Sequence, residues 1–207
     1  MTEPSVIRPY RPEDRNALYD LCVPAAQRDP DRRPVWADPA IFTAAPYLDL
    51  EPELAFVVDD GHGTAVGYLL ATADTQEFVT AYRTRWLPRV AARFPEPPGA
   101  PATPDEAVLK RLHHPELMLI PEASDYPAHL HVKLAPQWQG RGYGSALVHT
   151  LLRALRERGA PAVHLTVATS NTQARAFFTR LGFTDLTPPE AGPVTRMGRA
   201  TAAAPGD

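Results

Sequence analysis

The chain contains 207 residues, of which 44% are hydrophobic and 22% charged, and it carries a formal net charge of −3 at pH 7. This composition predicts one globular domain and argues against a basic surface for nucleic acid. No stretch approaches the ~18 apolar residues of a spanning helix, and the N-terminus lacks an apolar signal core, so we expect no membrane partner. Cys22 is the single cysteine, which excludes an intrachain disulfide. We expect a cytoplasmic protein in which this thiol is buried and structural.

The first half of the chain predicts short elements separated by prolines. Residues 5–10 favour a strand, and residues 12–23 favour a helix with one apolar face. A second short helix is expected at 38–48, with Asp38 as its N-cap. Two apolar runs on either side of the turn at 60–63 predict a hairpin.

Residues 75–94 predict a longer helix with a large apolar residue at every fourth position. A binding surface for an aromatic ligand is one interpretation of this stripe, and core packing is the one we favour. Pro88 is expected to bend or break the helix. A capping box at 103–106 predicts a further helix that ends near residue 112. The stripe consists of Phe78, Tyr82, Trp86, Val90 and Phe94.

The second half is more regular than the first. It predicts a strand at 129–134, a helix at 144–159, a strand at 162–168 and a helix at 171–182, followed by two short strands. A strand, a helix and a strand within such a short stretch indicate a right-handed parallel crossover.

Three glycines occupy the turn between the first strand and helix of this half, in the stretch QWQGRGYGS at 137–145. A glycine-rich turn that opens a helix presents free backbone N–H groups and the positive end of the helix dipole to an anion. Gly140, Gly142 and Gly144 remove side chains that would obstruct a phosphate, and Arg141 adds positive charge.

Three ligands suit such a turn. A mononucleotide loop requires G-x-x-x-x-G-K-[ST], but no lysine follows these glycines. A dinucleotide motif requires a third glycine where Ser145 stands and an acidic residue after the next strand, so a nicotinamide dinucleotide is a minor alternative. The pyrophosphate of coenzyme A is the third ligand, and a purely structural turn is the remaining interpretation.

Two motifs, taken together, favour coenzyme A. Residues 139–144, QGRGYG, match [RQ]-x-x-G-x-[GA], and residues 171–183, NTQARAFFTRLGF, match N-x-x-A-x-x-[LF]-Y-x-x-x-G-F with one departure. Their order and their placement resemble the GNAT superfamily of acetyltransferases, most strongly over 126–186. The resemblance implies an α/β GNAT fold, with a mixed central sheet and helices on both faces.

By this resemblance, three groups of residues hold acetyl-CoA or CoA. Val132, Lys133 and Leu134 would offer backbone groups to the pantetheine arm and to the acetyl carbonyl, much as an added strand does. The turn would wrap the pyrophosphate, and the second motif would form the other wall. The residues of the turn and of that wall are Gln139, Gly140, Arg141, Gly142, Tyr143, Gly144 and Ser145, and Asn171, Ala174, Phe177 and Phe178.

A narrower likeness is to the acetyltransferase-like C-terminal domain of O-GlcNAcase and its free-standing bacterial relatives. It is carried by DYPAHLHVKLAPQWQGRGYG and by the long insertion before it. The catalytic groups depart from the family pattern. Phe178 stands where the family often has the tyrosine that protonates the departing thiolate. Thr166, Lys133 and Ser170 stand where relatives carry acids.

Histidines offer a replacement for the missing base. His129 and His131 alternate on one strand and share a face, and His164 begins the neighbouring strand. An imidazole is a competent base, so the catalytic candidates are His129, His131 and Asp125. Polar residues half-buried in the sheet are an equal interpretation of the histidines. We predict no metal, because no third ligand is established and no cysteine is near.

The sequence therefore predicts a single GNAT-like domain at 1–200, with an insertion at about 75–121 and a mobile tail at 201–207. The leading functional hypothesis is transfer of acetyl from acetyl-CoA to an amine that the sequence does not name. The alternative is a protein that binds acetyl-CoA without efficient catalysis and serves as a sensor or interaction module.

Overall fold

The computed structural model describes residues 5–22, 42–188 and 192–202. Seven strands in these residues form one sheet. The predicted hairpin is confirmed, as are the strands predicted in both halves of the chain. The strands are β1 (Val6–Pro9), β2 (Ala55–Asp59), β3 (Ala65–Thr72), β4 (Ala128–Leu134), β5 (Ala162–Ala168), β6 (Thr184–Asp185) and β7 (Val194–Ala200).

The helices also follow the sequence pattern. The predicted N-cap Asp38 lies outside the described residues, and the helix expected around it is described only in its later part, α2. Thr103 caps α5 as predicted, because its side chain accepts a hydrogen bond from the backbone N–H of Glu106. The helices are α1 (Arg15–Cys22), α2 (Ala45–Leu50), α3 (Thr75–Ala81), α4 (Leu87–Val90), α5 (Pro104–His113), α6 (Tyr143–Glu157) and α7 (Thr172–Arg180).

Pro88 neither ends the helix nor leaves it regular. A π-helical segment, Tyr82–Trp86, joins α3 to α4 immediately before this proline. Proline lacks an N–H and its ring collides with the carbonyl four residues earlier, and a wider turn relieves both problems. The chain thus keeps one continuous helical path through the predicted break.

The sheet is mixed, with the strand order β1-β2-β3-β4-β5-β7-β6. Only the central pair, β4 and β5, is parallel, and α6 makes the crossover between them. The predicted fold class is confirmed, since helices cover both faces of this mixed sheet. None of the helices in the described ranges is long and apolar enough to cross a membrane.

Each face of the sheet carries its own apolar cluster. One cluster joins β2 and β3 to α1, α2 and the α3–α4 segment, and the other joins the sheet to α6 and α7. The aromatic stripe belongs to the first cluster. Phe78, Tyr82, Trp86 and Phe94 are all at most 3% exposed, so core packing is the correct interpretation of the stripe.

Candidate functional site

The central strands separate at one end. β4 and β5 pair only at Ala128–Val163 and His129–His164. Beyond this point β4 continues to pair with β3 as far as Leu134, and β5 continues to pair with β7 as far as Ala168. An opening therefore forms between the two strands within the sheet. A strand-like ligand with amide groups fits such an opening, because the facing backbone edges are not paired with each other.

The glycine turn lies at the wide end of this opening. Gly140 and Gly142 have φ of +71° and +86°, and Gly142 is the N-cap of the 15-residue helix α6. A Cβ added at either glycine would meet no atom within 4 Å. The side of the turn on which those side chains would lie is therefore free of protein. The backbone N–H groups of the first helical turn have no partner within the helix, so they are available to an anion.

The third glycine is packed against protein atoms, unlike the other two. A Cβ at Gly144 would lie 3.1 Å from the Phe177 ring and 3.6 Å from Leu134. Gly144 is buried, and its lack of a Cβ allows α6 to approach α7 and β4 closely.

Side chains around the turn hold its shape. The Gln139 side chain donates a hydrogen bond to the Leu134 carbonyl at 3.1 Å, which ties the turn to the end of β4. The Arg141 guanidinium lies 5.5 Å from the centre of the Trp138 ring, a cation–π contact that keeps the charge at the rim. Tyr143 packs against the same ring and donates its hydroxyl to Ser5 at 2.8 Å.

The second motif forms the start of α7. The Asn171 side chain accepts a hydrogen bond from the backbone N–H of Ala174 at 3.0 Å, so it caps this helix. Phe178 is 5% exposed, and its ring packs edge-on against Phe177 and Phe183 at centroid distances of 5.0 Å and 5.2 Å. At the position of the family's tyrosine, this chain therefore has a buried ring without a proton donor.

The other face of β4 carries polar side chains. The His129 and His131 rings lie 5.8 Å apart, and His164 on β5 lies 5.7 Å from His129. The predicted clustering of these histidines is confirmed. His129 and His164 are 5% and 2% exposed, whereas His131 is exposed. His131 is two residues beyond the last pair of β4 and β5, so it stands where the opening begins.

The three catalytic candidates differ in their access to that opening. Both ring nitrogens of His129 are engaged, Nδ1 with Thr75 at 2.8 Å and Nε2 with Tyr47 at 2.6 Å. Asp125 is exposed but precedes β4, at the end where the strands are still paired. It stands six residues before His131, and β4 begins only at Ala128. Of the three, only His131 combines exposure with a position at the opening.

All three imidazoles have lowered pKa values, so they are uncharged near neutral pH. The pKa of His129 lies well below its usual range because burial disfavours the cation and the neighbouring His131 and His164 repel it. The pKa of His164 is lowered by burial as well, and that of His131 is lowered by the protein packed around its ring and by His164. Imidazoles in this state have a free lone pair at neutral pH, which a base requires.

Lys133 is engaged at the end of a helix. Its ammonium donates a hydrogen bond to the Cys22 carbonyl at 3.2 Å, at the C-terminus of α1. A cation at this position complements the negative end of the helix dipole. Cys22 is buried, as predicted, with its sulfur 3.2 Å from the Tyr68 hydroxyl. Within the described ranges, no group of three or more His, Cys, Asp or Glu residues is arranged to hold a metal.

A sheet of this topology, opened between β4 and β5 and closed by a glycine turn, defines an acyltransferase-like fold. The chain belongs to the GNAT family of acetyltransferases. Residues 116–183 match the Acetyltransferase (GNAT) family. The crystal structure of SsHAT is 55% identical, with a TM-score of 0.88, over 97% of this chain and 100% of that chain.

Curated relatives agree with this family. Protein O-GlcNAcase of Rattus norvegicus is 22% identical over 201 residues, which are 94% of this chain but only 22% of the relative. The chain is therefore homologous to the acetyltransferase-like region of a much longer protein. Mycothiol acetyltransferase of Nocardiopsis dassonvillei is 46% identical over 52 residues, covering 25% of this chain and 16% of that one. Enzymes of the GNAT family use acetyl-CoA.

Sequence reasoning missed Tyr47 and Thr75 as parts of this site. Tyr47 reaches His129 across 82 positions of sequence, and Thr75 reaches it across 54. Neither residue belongs to a motif. The one signal in the sequence was the pair of alternating histidines, because buried polar rings require hydrogen-bond partners from elsewhere in the chain.

Proposed function

We propose that this protein binds acetyl-CoA between β4 and β5 and transfers the acetyl group to an amine. The observation that carries the proposal is the opening of the sheet directly beside the glycine turn. β4 and β5 part after His129 and His164, and α6 begins at Gly142 with unpaired backbone N–H groups. The amides of the pantetheine arm suit the first feature, and the pyrophosphate suits the second.

The residues proposed to hold the coenzyme are those that the family resemblance implies. Gly140 to Ser145 and the Gln139-braced turn would receive the pyrophosphate, with Arg141 at the rim. Val132, Lys133 and Leu134 would present backbone groups to the pantetheine arm, and Ala174, Phe177 and Phe178 would border it from α7. When bound, acetyl-CoA supplies an activated acetyl group as a thioester.

His131 is the base in this proposal. It accepts a proton from the attacking amine as the new C–N bond forms, and backbone N–H groups of β4 stabilise the negative charge on the carbonyl oxygen. The C–S bond then breaks and the sulfur takes a proton from solvent, because Phe178 has none to give. Transfer is therefore expected to be slow compared with a relative that has a tyrosine there.

A second candidate function rests on Phe178. Its ring is 5% exposed and contacts other phenylalanines, which is a packing environment without acid–base chemistry. In this alternative the protein binds acetyl-CoA and acts as a sensor or interaction module without efficient turnover.

Calorimetric titration with acetyl-CoA, CoA and NAD tests the binding step. We expect micromolar binding of acetyl-CoA and CoA, equivalent to about −8 kcal/mol, and no heat with NAD. Binding of NAD alone, or of none of the three, would refute the proposal. Release of free thiol with a panel of amines then separates the two candidate functions, since only the first predicts amine-dependent release.

A further inference from the structure

We propose that Tyr47 is a positioning residue that, together with buried His129 and Thr75, fixes the tautomer of His131. The proton is held on Nε2 of His131, and Nδ1 is left as the acceptor at the opening. The assignment of this tautomer is independent of acetyl transfer. Its consequence for catalysis rests on the proposed function, in which His131 is the base.

The direction of the hydrogen bonds follows from a backbone carbonyl, which has no proton to donate. The Thr75 hydroxyl donates its single hydrogen to the Pro127 carbonyl at 2.7 Å. Its oxygen must therefore accept in the second contact, from Nδ1–H of His129 at 2.8 Å. A neutral imidazole carries one N–H, so Nε2 of His129 is an acceptor.

The same reasoning extends from His129 through Tyr47 to His131, the exposed member of this series of hydrogen bonds. The Tyr47 hydroxyl lies 2.6 Å from Nε2 of His129 and must donate its hydrogen there. Met118 Sδ is 3.7 Å from that hydroxyl and is the weaker acceptor. Nε2 of His131 lies 3.0 Å from the Tyr47 oxygen and has to donate to it. Nδ1 of His131 then has no proton, and no group in the described ranges bonds to it.

Burial makes this arrangement difficult to reverse. Tyr47 and Thr75 are 2% and 1% exposed, so water does not replace their hydrogen bonds. The Tyr47 ring is stacked on Phe78 at a centroid distance of 4.5 Å, which fixes where its hydroxyl lies. Burial also raises the pKa of Tyr47, which keeps its donor hydrogen in place. A polar group left unpaired here would lose its hydrogen bond without gaining one from water.

Of the groups on the face of His131, the other imidazoles and Tyr47 are uncharged, and Lys133 directs its ammonium to the Cys22 carbonyl. His129 lies on its own strand, Tyr47 faces it from α2, and His164 acts on it from β5. In the described part of the chain, no carboxylate forms an ion pair with these imidazoles. The hydrogen-bond directions given above, which assume neutral imidazoles, therefore apply near pH 7.

Nitrogen-15 NMR of the imidazole rings reads the tautomer directly, in the free protein. We expect His131 to carry its proton on Nε2. Tyr47→Phe removes the acceptor and is expected to give a mixture of tautomers. Thr75→Val removes the hydroxyl that accepts the hydrogen bond from His129 Nδ1 and makes no change at His131, yet it is expected to shift the same tautomer equilibrium. Thr75→Ser keeps the hydroxyl and should leave the equilibrium unchanged. Tyr82→Phe is the control, because Tyr82 is a buried tyrosine of the same cluster that does not contact the histidines.

The outcomes separate this inference from the proposed function. A proton on Nδ1 of His131 in the wild type overturns the inference, as does an unchanged tautomer in both Tyr47→Phe and Thr75→Val. In the acetyl-transfer assay, Tyr47→Phe is expected to lower kcat about tenfold and to leave KM for acetyl-CoA unchanged. An unchanged kcat and pH profile would remove Tyr47 from catalysis. Absence of transfer in the wild type would refute the proposed function and leave the NMR assignment to decide the tautomer.

Discussion

The two faces of β4 belong to one strand but differ in polarity and in the segments that pack against them. Leu130, Val132 and Leu134 belong to the apolar cluster beneath α6 and α7, next to the glycine turn. The residues between them have polar side chains on the opposite face, where His129 is hydrogen-bonded to Tyr47 and Lys133 to the end of α1. The site proposed on the first face carries local sequence motifs, whereas the hydrogen bonds of the other face join segments distant in sequence.

This difference shows which kind of functional site can be recognised from a sequence. The face proposed to hold coenzyme is bordered by two local motifs, the turn that opens α6 and the start of α7, so motifs in the sequence specify it. The polar face is a network of buried hydrogen bonds, whose energies depend on every member being satisfied. The predictions below test whether the two faces are as independent as this contrast implies.

Acidification should affect the polar face most strongly. The lowered pKa values of His129 and His164 mean that the unfolded chain binds protons that the folded chain excludes. Stability is therefore lost as pH falls through the unfolded-state value of about 6.5, by up to ~1.4 kcal/mol per pH unit for each histidine. Urea unfolding between pH 7.5 and 5 measures this slope.

A pair of variants assigns the slope to the buried network. His164→Gln is expected to reduce the slope of unfolding free energy against pH by the equivalent of up to one bound proton. His149→Gln, at an exposed position on α6, should leave the slope unchanged. Equal slopes for all three proteins would show that the histidines of the polar face do not control the acid response.

Substitution in the glycine turn should weaken coenzyme binding as well as lower stability. Gly142→Ala and Gly159→Ala place a Cβ at nearly the same positive φ, +86° and +77°, with no protein atom within 4 Å in either case. Both should lose about 1 kcal/mol of stability from the left-handed backbone. Only Gly142 lies where the pyrophosphate is proposed to bind, so only this variant should bind acetyl-CoA more weakly, by about 30-fold.

Calorimetry and thermal unfolding of the same two variants give both quantities. If the affinities of Gly142→Ala and Gly159→Ala fell equally, the loss would come from strain in α6, and the turn would not be the phosphate site. If neither affinity changed, coenzyme would have to bind elsewhere on the apolar face.

The sequence predicted the sheet, its parallel crossover and the helices because their periodicities and caps are local. Pro88 shows the limit of that reasoning, since the π-helical segment that accommodates it depends on the core contacts of Tyr82 and Trp86. Gly144 shows a second limit. Its neighbour Phe177 comes from the next helix, so the motif alone did not show that this glycine packs against α7.

Restoring the family's tyrosine tests whether the apolar face limits turnover. Phe178→Tyr adds a hydroxyl beside the proposed thioester site and is expected to raise amine-dependent thiol release about fivefold, less than a fully positioned acid supplies. Phe183→Tyr adds the same hydroxyl to the same cluster, away from the proposed site, and should lower stability without raising the rate. No increase with Phe178→Tyr would indicate that the base or the acceptor is limiting.

The smallest effect is expected at an imidazole remote from β4, and its sign should be opposite. The His114 side chain is 42% exposed and lies 2.9 Å from both Glu96 and Glu116, whose carboxylates raise its pKa by hydrogen bonding. Its contribution to stability is therefore present below the unfolded-state pKa and is lost as pH rises through the folded-state value. Because exposed ion pairs are weakened by water and salt, the shift in Tm between His114→Gln and wild type should be small and should vanish in high salt. A larger loss at pH 8 than at pH 5.5 would contradict this sign. The contrast with His129 would then not follow from the presence of carboxylates at one site and burial at the other.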